Sequence, residues 1–532
     1  MNSGQTRVRL VKAGALLASV ALVAGCGSQY RPVVTPINPS GPPAQPNSLA
    51  IVVSAPSPTT PGVATVIDYS GDTVMATAPV GPGPTSFSLD ASGTTGYTVN
   101  SDGTVTNFPA STNLQAKNVL YTTLPAAANT TSLFSPQSGL WTADQCSVVD
   151  GHCTSVVDVF TPTGGVETFK LSIPVSATPV MVIGPATGQR NYALTLNNAQ
   201  TPTANAILYQ DMTCNNNPSA VPQTGEADSL EVTPPTVSAR IPLGKCPVYA
   251  VQTPDNKRLF VMNRGDDTIS VINTQNNTAD SCVCPATGCL NRDGQAYFCH
   301  PTLPLSTTAL TATGITPPNC QPATDPTCGG MKAVAGPVYG EYNTTTGQLV
   351  VADYDGGTIS VIDVSLDQFG NDSQTFGTTY TIPVGKDPAV TPYPASVTVL
   401  ADGSRAYTAN QGEGTVTVVN LSAHNVVTTL PVTGHPRSVV STSNSLYGKV
   451  YVVSPDSPYL TILRTDQDIV DATVLVQGNI LDVRVNTISG SGNNNNTVSR
   501  TPGVGQPCYL APNDPRLPNP PDLASCQALP LP

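Results

Sequence analysis

The chain has 532 residues, 44 of them glycine and 52 proline, with 5% aromatic and 11% charged residues; this excludes long amphipathic helices and points to an all-β molecule dense in turns. Its formal charge is −12, and an acidic surface repels nucleic-acid phosphates and anionic lipid headgroups, so nucleic acid is not expected as a partner.

The first 25 residues stand apart. Arg7, Arg9 and Lys12 form a basic segment, and Ala13 to Val23 is an apolar run too short to span a bilayer comfortably. That is the order of a secretory signal peptide. The next box, Val23-Ala-Gly-Cys26, resembles that of bacterial lipoproteins, which implies cleavage before Cys26, acylation of its thiol, and membrane lipid as a partner. Gly27 replaces the Asp that retains some lipoproteins at the inner membrane, so the expected location is the bacterial cell envelope, lipid-anchored at the outer membrane on its periplasmic or surface side. Cleavage leaves 19 basic against 34 acidic residues, a charge of −15. Residues 26–48 follow as a spacer with six prolines and little apolar pattern.

From Leu49 onward the chain repeats itself. Weak units are readable at Ala64-Thr-Val-Ile-Asp68, Gly103-Thr-Val-Thr-Asn107, Ser155-Val-Val-Asp158 and Ala204-Asn-Ala-Ile-Leu208. Three strong ones follow at Asn263-Arg-Gly-Asp-Asp-Thr-Ile-Ser-Val-Ile-Asn273, Asp353-Tyr-Asp-Gly-Gly-Thr-Ile-Ser-Val-Ile-Asp363 and Asn410-Gln-Gly-Glu-Gly-Thr-Val-Thr-Val-Val-Asn420, and a last weak one at Tyr459-Leu-Thr-Ile-Leu463. Each strong unit is a Gly/Asp turn feeding a β-branched strand, which cannot bury its apolar face without sister units. Proline-containing turns such as Ile241-Pro-Leu-Gly-Lys-Cys-Pro247 and Ile382-Pro-Val-Gly-Lys-Asp-Pro388 recur between units. Proline lacks a ladder N–H and glycine accepts turn dihedrals, so these turns end strands and each unit holds four.

This register resembles the YVTN family of β-propeller repeats, with Leu259-Phe-Val-Met-Asn263, Leu349-Val-Val-Ala-Asp353 and Ala406-Tyr-Thr-Ala-Asn410 at the family's Tyr-Val-Thr-Asn position; the match is strong from about Val237 to Val476. The resemblance implies a single closed propeller over residues 49–487. Its relatives most often have seven blades, whereas the repeat count here is eight. Leu49 to Val53 reads as a second strand lacking a first, and Ile480 to Val485 as a first strand lacking a second. Their pairing would complete one blade from both chain ends and remove the open edges. Residues 488–532 read as a flexible Pro-rich tail with no strand.

Beyond Cys26, twelve cysteines remain, an even number for an oxidising compartment. Proximity suggests Cys146 with Cys153, Cys320 with Cys328, Cys508 with Cys526 and two bridges among Cys282, Cys284, Cys289 and Cys299, leaving Cys214 with Cys246; connectivity does not follow from sequence. No Cys-x-x-Cys pair or Cys-x-x-Cys-His occurs, so neither metal nor cofactor is predicted. Long excursions at 211–235, 279–337 and 365–378 all follow a predicted third strand, which would crowd one rim with a disulfide-stapled cap.

Catalytic constellations are scarce. The four histidines, His152, His300, His424 and His435, fall in predicted turns or loops. A Gly-x-Ser-x-Gly elbow and a P-loop are absent. Asp353, Asp355 and Glu413 are the carboxylates a ring would bring nearest its axis, although Asp and Gly in such turns are also explained by turn dihedrals. Arg264-Gly-Asp266 occupies a blade turn. The leading expectation is an envelope binding or scaffolding module for a protein, glycan or small molecule. A lactonase-type hydrolase on the same ring is the enzymatic alternative, and a surface-layer component a third.

Because the Cys26 thiol is the expected acceptor of the lipid, Cys26→Ser should move the protein to the soluble fraction or leave it unprocessed. Detergent fractionation with mass analysis of the N-terminus checks this, and unchanged fractionation with normal cleavage refutes it.

Overall fold

Residues that alternate β-branched and small side chains pair into strands, and two such sheets bury their faces only by stacking. In this computed structural model they form eight four-stranded antiparallel sheets arranged as a closed ring, an eight-bladed β-propeller. The structure describes residues 49–57, 59–125, 130–149, 152–176, 178–196, 224–282, 284, 289–290, 292–305, 335–442, 448–486 and 498–499. The signal segment, Cys26, the spacer, most of the tail and Cys214, Cys320, Cys328, Cys508 and Cys526 lie outside the described residues, as do the side chains of Cys146 and Cys153.

Blade 1 takes its inner strand from the C-terminal end, Asn479–Val485, and its next three from the start, Leu49–Ala55, Pro61–Asp68 and Val74–Pro82. The expected closure is therefore present. Ala50 opposes Val485, Val52 opposes Val483, and Leu49 and Asn486 exchange two hydrogen bonds, Leu49 N–H to Asn486 Oδ1 at 2.7 Å and Asn486 N–H to the Leu49 carbonyl at 3.0 Å. Blades 2 to 8 follow in chain order, their inner strands being Pro84–Leu89, Thr130–Phe134, Thr178–Ile183, Pro247–Gln252, Pro337–Asn343, Pro394–Val399 and Ser438–Ser441. Each inner strand packs against those of its two neighbours, so the eight surround one axis.

Burial falls from the axis outward. In blade 7 the inner strand Pro394–Val399 is buried throughout, while the outer strand Asn425–Pro431 is mostly exposed. Inner strands have neighbouring blades over both faces; outer strands face water. Blades 1 and 8 share a core in which Val52, Val483, Tyr451 and Leu460 interlock across the closing interface.

The repeat motif has a hydrogen-bonding reason. Asn263, ending the second strand of blade 5, donates its amide to Thr268 Oγ1 (3.1 Å) and Ser270 Oγ (2.8 Å) on the third strand. Asn100 and Asn410 do the same to Thr104 and Thr106, and to Thr415 and Thr417. The second hydroxyl in turn accepts the backbone N–H of a glycine in the turn arriving from the previous blade: Gly81 to Thr106 (3.0 Å), Gly244 to Ser270 (3.2 Å) and Gly385 to Thr417 (3.0 Å). A Cβ on Gly244 would stand 2.7 Å from the Asn263 amide nitrogen, which is why the turn demands glycine. Asn, Thr/Ser and Gly thus stitch successive blades on the face carrying the second-to-third and fourth-to-first connections, called here the upper face.

Two expectations about the excursions are corrected. The third strand of blade 4 is Thr224–Val232, inside the stretch read as an excursion, and not Ala204 to Leu208, which lies outside the described residues. The intervening segment therefore leaves from the upper face. In blade 5 the outer strand is split into Thr278–Ala279 and Thr302–Pro304, both paired to Thr268–Asn273, with 280–301 looping out between them. Only 365–378 follows its third strand as expected. Hydrophobic periodicity finds strands but does not say which of two similar runs joins the ladder. The three excursions therefore do not share one rim. Nor is the tail without pairing, since Val498 bridges Phe134.

Ending the chain after Gly478 removes the whole inner strand of blade 1. We expect aggregation or a melting temperature lower by about 10 °C or more, whereas a chain ending after Arg500 should melt like the full protein; calorimetry of both checks this.

Candidate functional site

Inner strands are buried by their neighbours, so any exposure on them reports the channel. Those of blades 1 to 7 carry a bulge near their start, where a single side chain goes unpaired in register: Thr85, Thr131, Val180, Val248, Val338 and Ala395 in blades 2 to 7. In blade 1 the same place is Leu481. In blade 8 the ladder shows no such shift, and Arg437 stands just before the strand, its N–H bonding the Val453 carbonyl at 2.8 Å beside the Ser438–Val453 pair. Thr85, Val248, Val338, Leu481 and Arg437 are partly exposed on strands otherwise nearly sealed. At this level the axis is therefore lined by apolar and threonine side chains with one cation.

Arg437 has polar neighbours from other blades. Burial lowers its pKa to about 10, opposed by the nearby Tyr354 and Asp482, so it is cationic at neutral pH. Tyr354 belongs to blade 6, which does not adjoin blade 8, yet it is near enough for its charge state to act on Arg437. The Tyr354 ring lies 5.0 Å from that of Tyr393, which is 40% exposed, and its hydroxyl donates to Gln411 Oε1 at 3.3 Å. Burial raises the Tyr354 phenol to about 12, so it stays protonated. Beneath it, Arg264 of blade 5 stacks on the ring at 5.2 Å and grips Asp355 through Nε (2.8 Å) and Nη2 (2.7 Å). Asp267 Oδ1 accepts the N–H groups of Ala335 and Gly336 at 2.9 and 2.8 Å. Blades 5 to 8 together build a rigid aromatic and cationic rim on the upper face.

The three carboxylates expected near the axis do not converge. Asp355 joins this rim, but as the neutralised partner of Arg264. Glu413 accepts the backbone N–H groups of Lys386 (2.8 Å) and Asp387 (3.0 Å), clamping a turn as Asp266 clamps Lys245 and Asp456 clamps His435. Asp353 is fully buried inside blade 6 in the position of Asn263 and Asn410, accepting from Ser360 (2.6 Å) and Thr358 (3.2 Å), with its other oxygen lacking a hydrogen bond among the described residues. Arg264 of the Arg-Gly-Asp triplet is 3% exposed and thus committed to the fold.

Other titratable clusters are also internal. Asp144 and Asp158 face each other inside blade 3, both with no exposure, and burial, reinforced by the charge of Asp158, raises Asp144 to about 7. At the lower end of the second strand of blade 5, Arg258 bridges Asp280 (3.2 Å) and Asp372 (3.0 Å), and His300 Nδ1 meets Asp372 at 2.8 Å, joining the 280–301 and 365–378 excursions. Burial raises Asp280 to about 6. Cys282 pairs with Cys299 and Cys284 with Cys289, two bridges within the foursome as expected. Among the described residues the group of His, Cys, Asp and Glu side chains close enough to share an ion is Cys282, Cys284 and Cys289, all used in these bridges. Cys246 is also disulfide-bonded.

No protein-family model and no curated protein matches the chain. Solved structures do. Apo AztD from Citrobacter koseri superposes with a TM-score of 0.50 at 12% identity over 82% of this chain and 97% of that one. The dihydro-heme d1 dehydrogenase NirN in complex with DHE gives 0.51 at 14% over 82% and 74%. A putative 6-phosphogluconolactonase from Bacteroides fragilis gives 0.45 at 14% over 84% and 99%. Such low identities carry the fold and nothing finer: this is a β-propeller protein.

Arg437 is the residue that reading the sequence missed. In Gly434-His435-Pro436-Arg437 it looks like turn solvent. Aligning the prolines that open the inner strands would have shown it, because Pro179, Pro247, Pro337 and Pro394 are each followed by Val or Ala.

Asp353→Asn tests the internal role of that carboxyl. Burial raises its pKa from 3.8 to about 7, so the fold favours the protonated form and loses stability as pH rises through this interval. Asparagine, which serves in blades 5 and 7, should stabilise by about 1–3 kcal/mol at pH 8 and by less at pH 5, read from urea melts at both pH values.

Proposed function

We propose that this chain is a lipid-anchored envelope binding module whose ligand enters the channel from the upper face and sets an anionic group against Arg437 and a ring or apolar body against Tyr354 and Tyr393. One observation carries the reading. Among the seven bulge residues and Arg437, which together mark this level of the eight inner strands, Arg437 is the charged one, partly exposed, and it has no ion pair within 4 Å among the described residues. A cation held by burial in an apolar collar is poorly solvated, and an incoming carboxylate or phosphate compensates it. The Arg264–Asp355 pair and the Tyr354–Gln411 bond pre-organise the rim, which lowers the ordering cost of binding.

The hydrolase reading draws less support. Asp353 and Asp144 are sealed inside blades, Asp355 is neutralised, and Glu413 is bound to backbone. None stands open beside Arg437 as a general base would. The anchor at Cys26 and the 26–48 spacer fit a module displayed at a membrane surface, rather than one free in solution.

The test is a thermal-shift and calorimetric screen of the mature protein against small carboxylates, phosphate monoesters and their neutral analogues. We expect at least one acidic compound to bind, and Arg437→Gln to weaken it about tenfold or more. Binding confined to neutral compounds, or acidic binding indifferent to Arg437→Gln, overturns the proposal.

A further inference from the structure

The tail returns to the ring after leaving it. Beyond Asn486 the chain reappears at Val498 and Ser499, which are 1% and 2% exposed although they follow a Ser/Gly/Asn-rich linker. Val498 makes an antiparallel bridge with Phe134. Ser499 N–H donates to the Leu133 carbonyl at 2.8 Å, and Leu133 N–H donates to Ser499 Oγ at 3.0 Å. From the other side, Arg484 Nη2 donates to the Val498 carbonyl at 3.0 Å and to the Phe87 carbonyl at 3.2 Å. Phe87, Leu133 and Arg484 lie on the inner strands of blades 2, 3 and 1.

The topology tells where this contact lies. The inner strand of blade 3 pairs on one edge with Leu140–Val149, and its other edge faces the axis. Leu133 offers both its N–H and its carbonyl to Ser499, so the tail occupies that axial edge as an added strand would. Leu133, Phe134 and Arg484 stand toward the ends of their strands, on the lower face, which carries the first-to-second and third-to-fourth turns. Leu481 and Arg484 are three residues apart, about 10 Å along a strand, so the contact with Val498 lies well below the level of Leu481.

We propose that the axial edge of the inner strand of blade 3, together with Arg484 of blade 1, forms a docking site for an extended peptide and that the Val498–Ser499 segment is its resident ligand. Two physical needs are met at once. An inner strand otherwise leaves backbone donors and acceptors facing the channel, and the tail satisfies those of Leu133. Arg484 is fully buried, and the Val498 carbonyl adds to Asp482, at 3.0 Å, in compensating its charge. The inference stands without the ligand of the Arg437 rim, because it concerns the opposite face.

Hydrogen exchange of the mature protein provides the test. The Ser499 amide should be slowed at least a hundredfold relative to linker amides, and ending the chain after Thr487 should speed exchange at Leu133. A synthetic peptide spanning 494–504, added at millimolar concentration to the truncated chain, should restore protection at Leu133, since a tethered segment acts at an effective concentration of about that order. Ser499→Pro in the full chain removes the donated N–H and should expose Leu133 without shortening the protein, which guards against misfolding of the truncation. Fast exchange at Ser499 in the intact protein, or Leu133 protection unchanged in both variants, overturns the proposal; failure of the peptide alone to restore protection removes the docking site as a separable surface and leaves only a tethered contact.

Discussion

Everything in this molecule depends on the ladder between Leu49–Ala55 and Asn479–Val485. A blade is a small sheet whose two faces are apolar, and it is stable only when both are covered by neighbours. Seven blades can be completed from contiguous chain; the eighth cannot, and without it blades 2 and 8 would each show a bare face. Joining the chain ends in one sheet gives every blade two neighbours. It also places Val52 and Val483 in the same core as Tyr451 and Leu460 of blade 8, so closing the ring and filling its last interface are the same event.

The two faces of the ring are built differently. On the upper face the Asn–Thr/Ser–Gly hydrogen bonds connect the second and third strands of one blade to the turn arriving from the previous one. Side chains on those turns are consequently held by backbone that has little freedom. This allows Arg264, Tyr354 and Arg437, drawn from three blades, to keep a fixed arrangement across the mouth. The lower face is joined by a more varied set of side-chain bonds between blades, among them Tyr192 to Asn277, Asn343 to the Leu400 carbonyl, Tyr407 to Asp468 and Lys449 to Asp72, and it also carries the Val498–Ser499 contact with Leu133.

Buried charge is handled by the same economy of space. Asp144 with Asp158, Asp353, and Arg258 with Asp280 and Asp372 lie inside or between sheets, where a carboxylate is tolerated by hydroxyl donors, by protonation or by guanidinium. These clusters are conspicuous as titratable groups, yet each is enclosed by the strands that hold it. The less conspicuous Arg437 is the group that reaches the channel.

Much of the architecture was legible in the residues. The β-branched strands, the Pro and Gly at fixed offsets, the eight units and the pairing of Leu49 to Val53 with Ile480 to Val485 follow from local pattern, because strand periodicity and turn chemistry are properties of a few neighbouring residues. That two bridges form within the 282–299 foursome was legible for the same reason of proximity, while which cysteine joins which, Cys282 to Cys299 and Cys284 to Cys289, was decided by the folded loop. Which run serves as the third strand of blade 4, where the outer strand of blade 5 breaks, and the return of Val498 to Phe134 were not, since ladder competition is decided by whole-ring geometry. The site divides likewise. Sequence could name Asp353, Asp355 and Glu413 as turn carboxylates, but their partners Ser360, Arg264 and the Lys386 amide are set by blade contacts. Arg437 acquires its place only when eight inner strands converge: a bulge is a local irregularity of pairing, and only the closed ring brings those of seven blades and Arg437 of the eighth to one level around the axis.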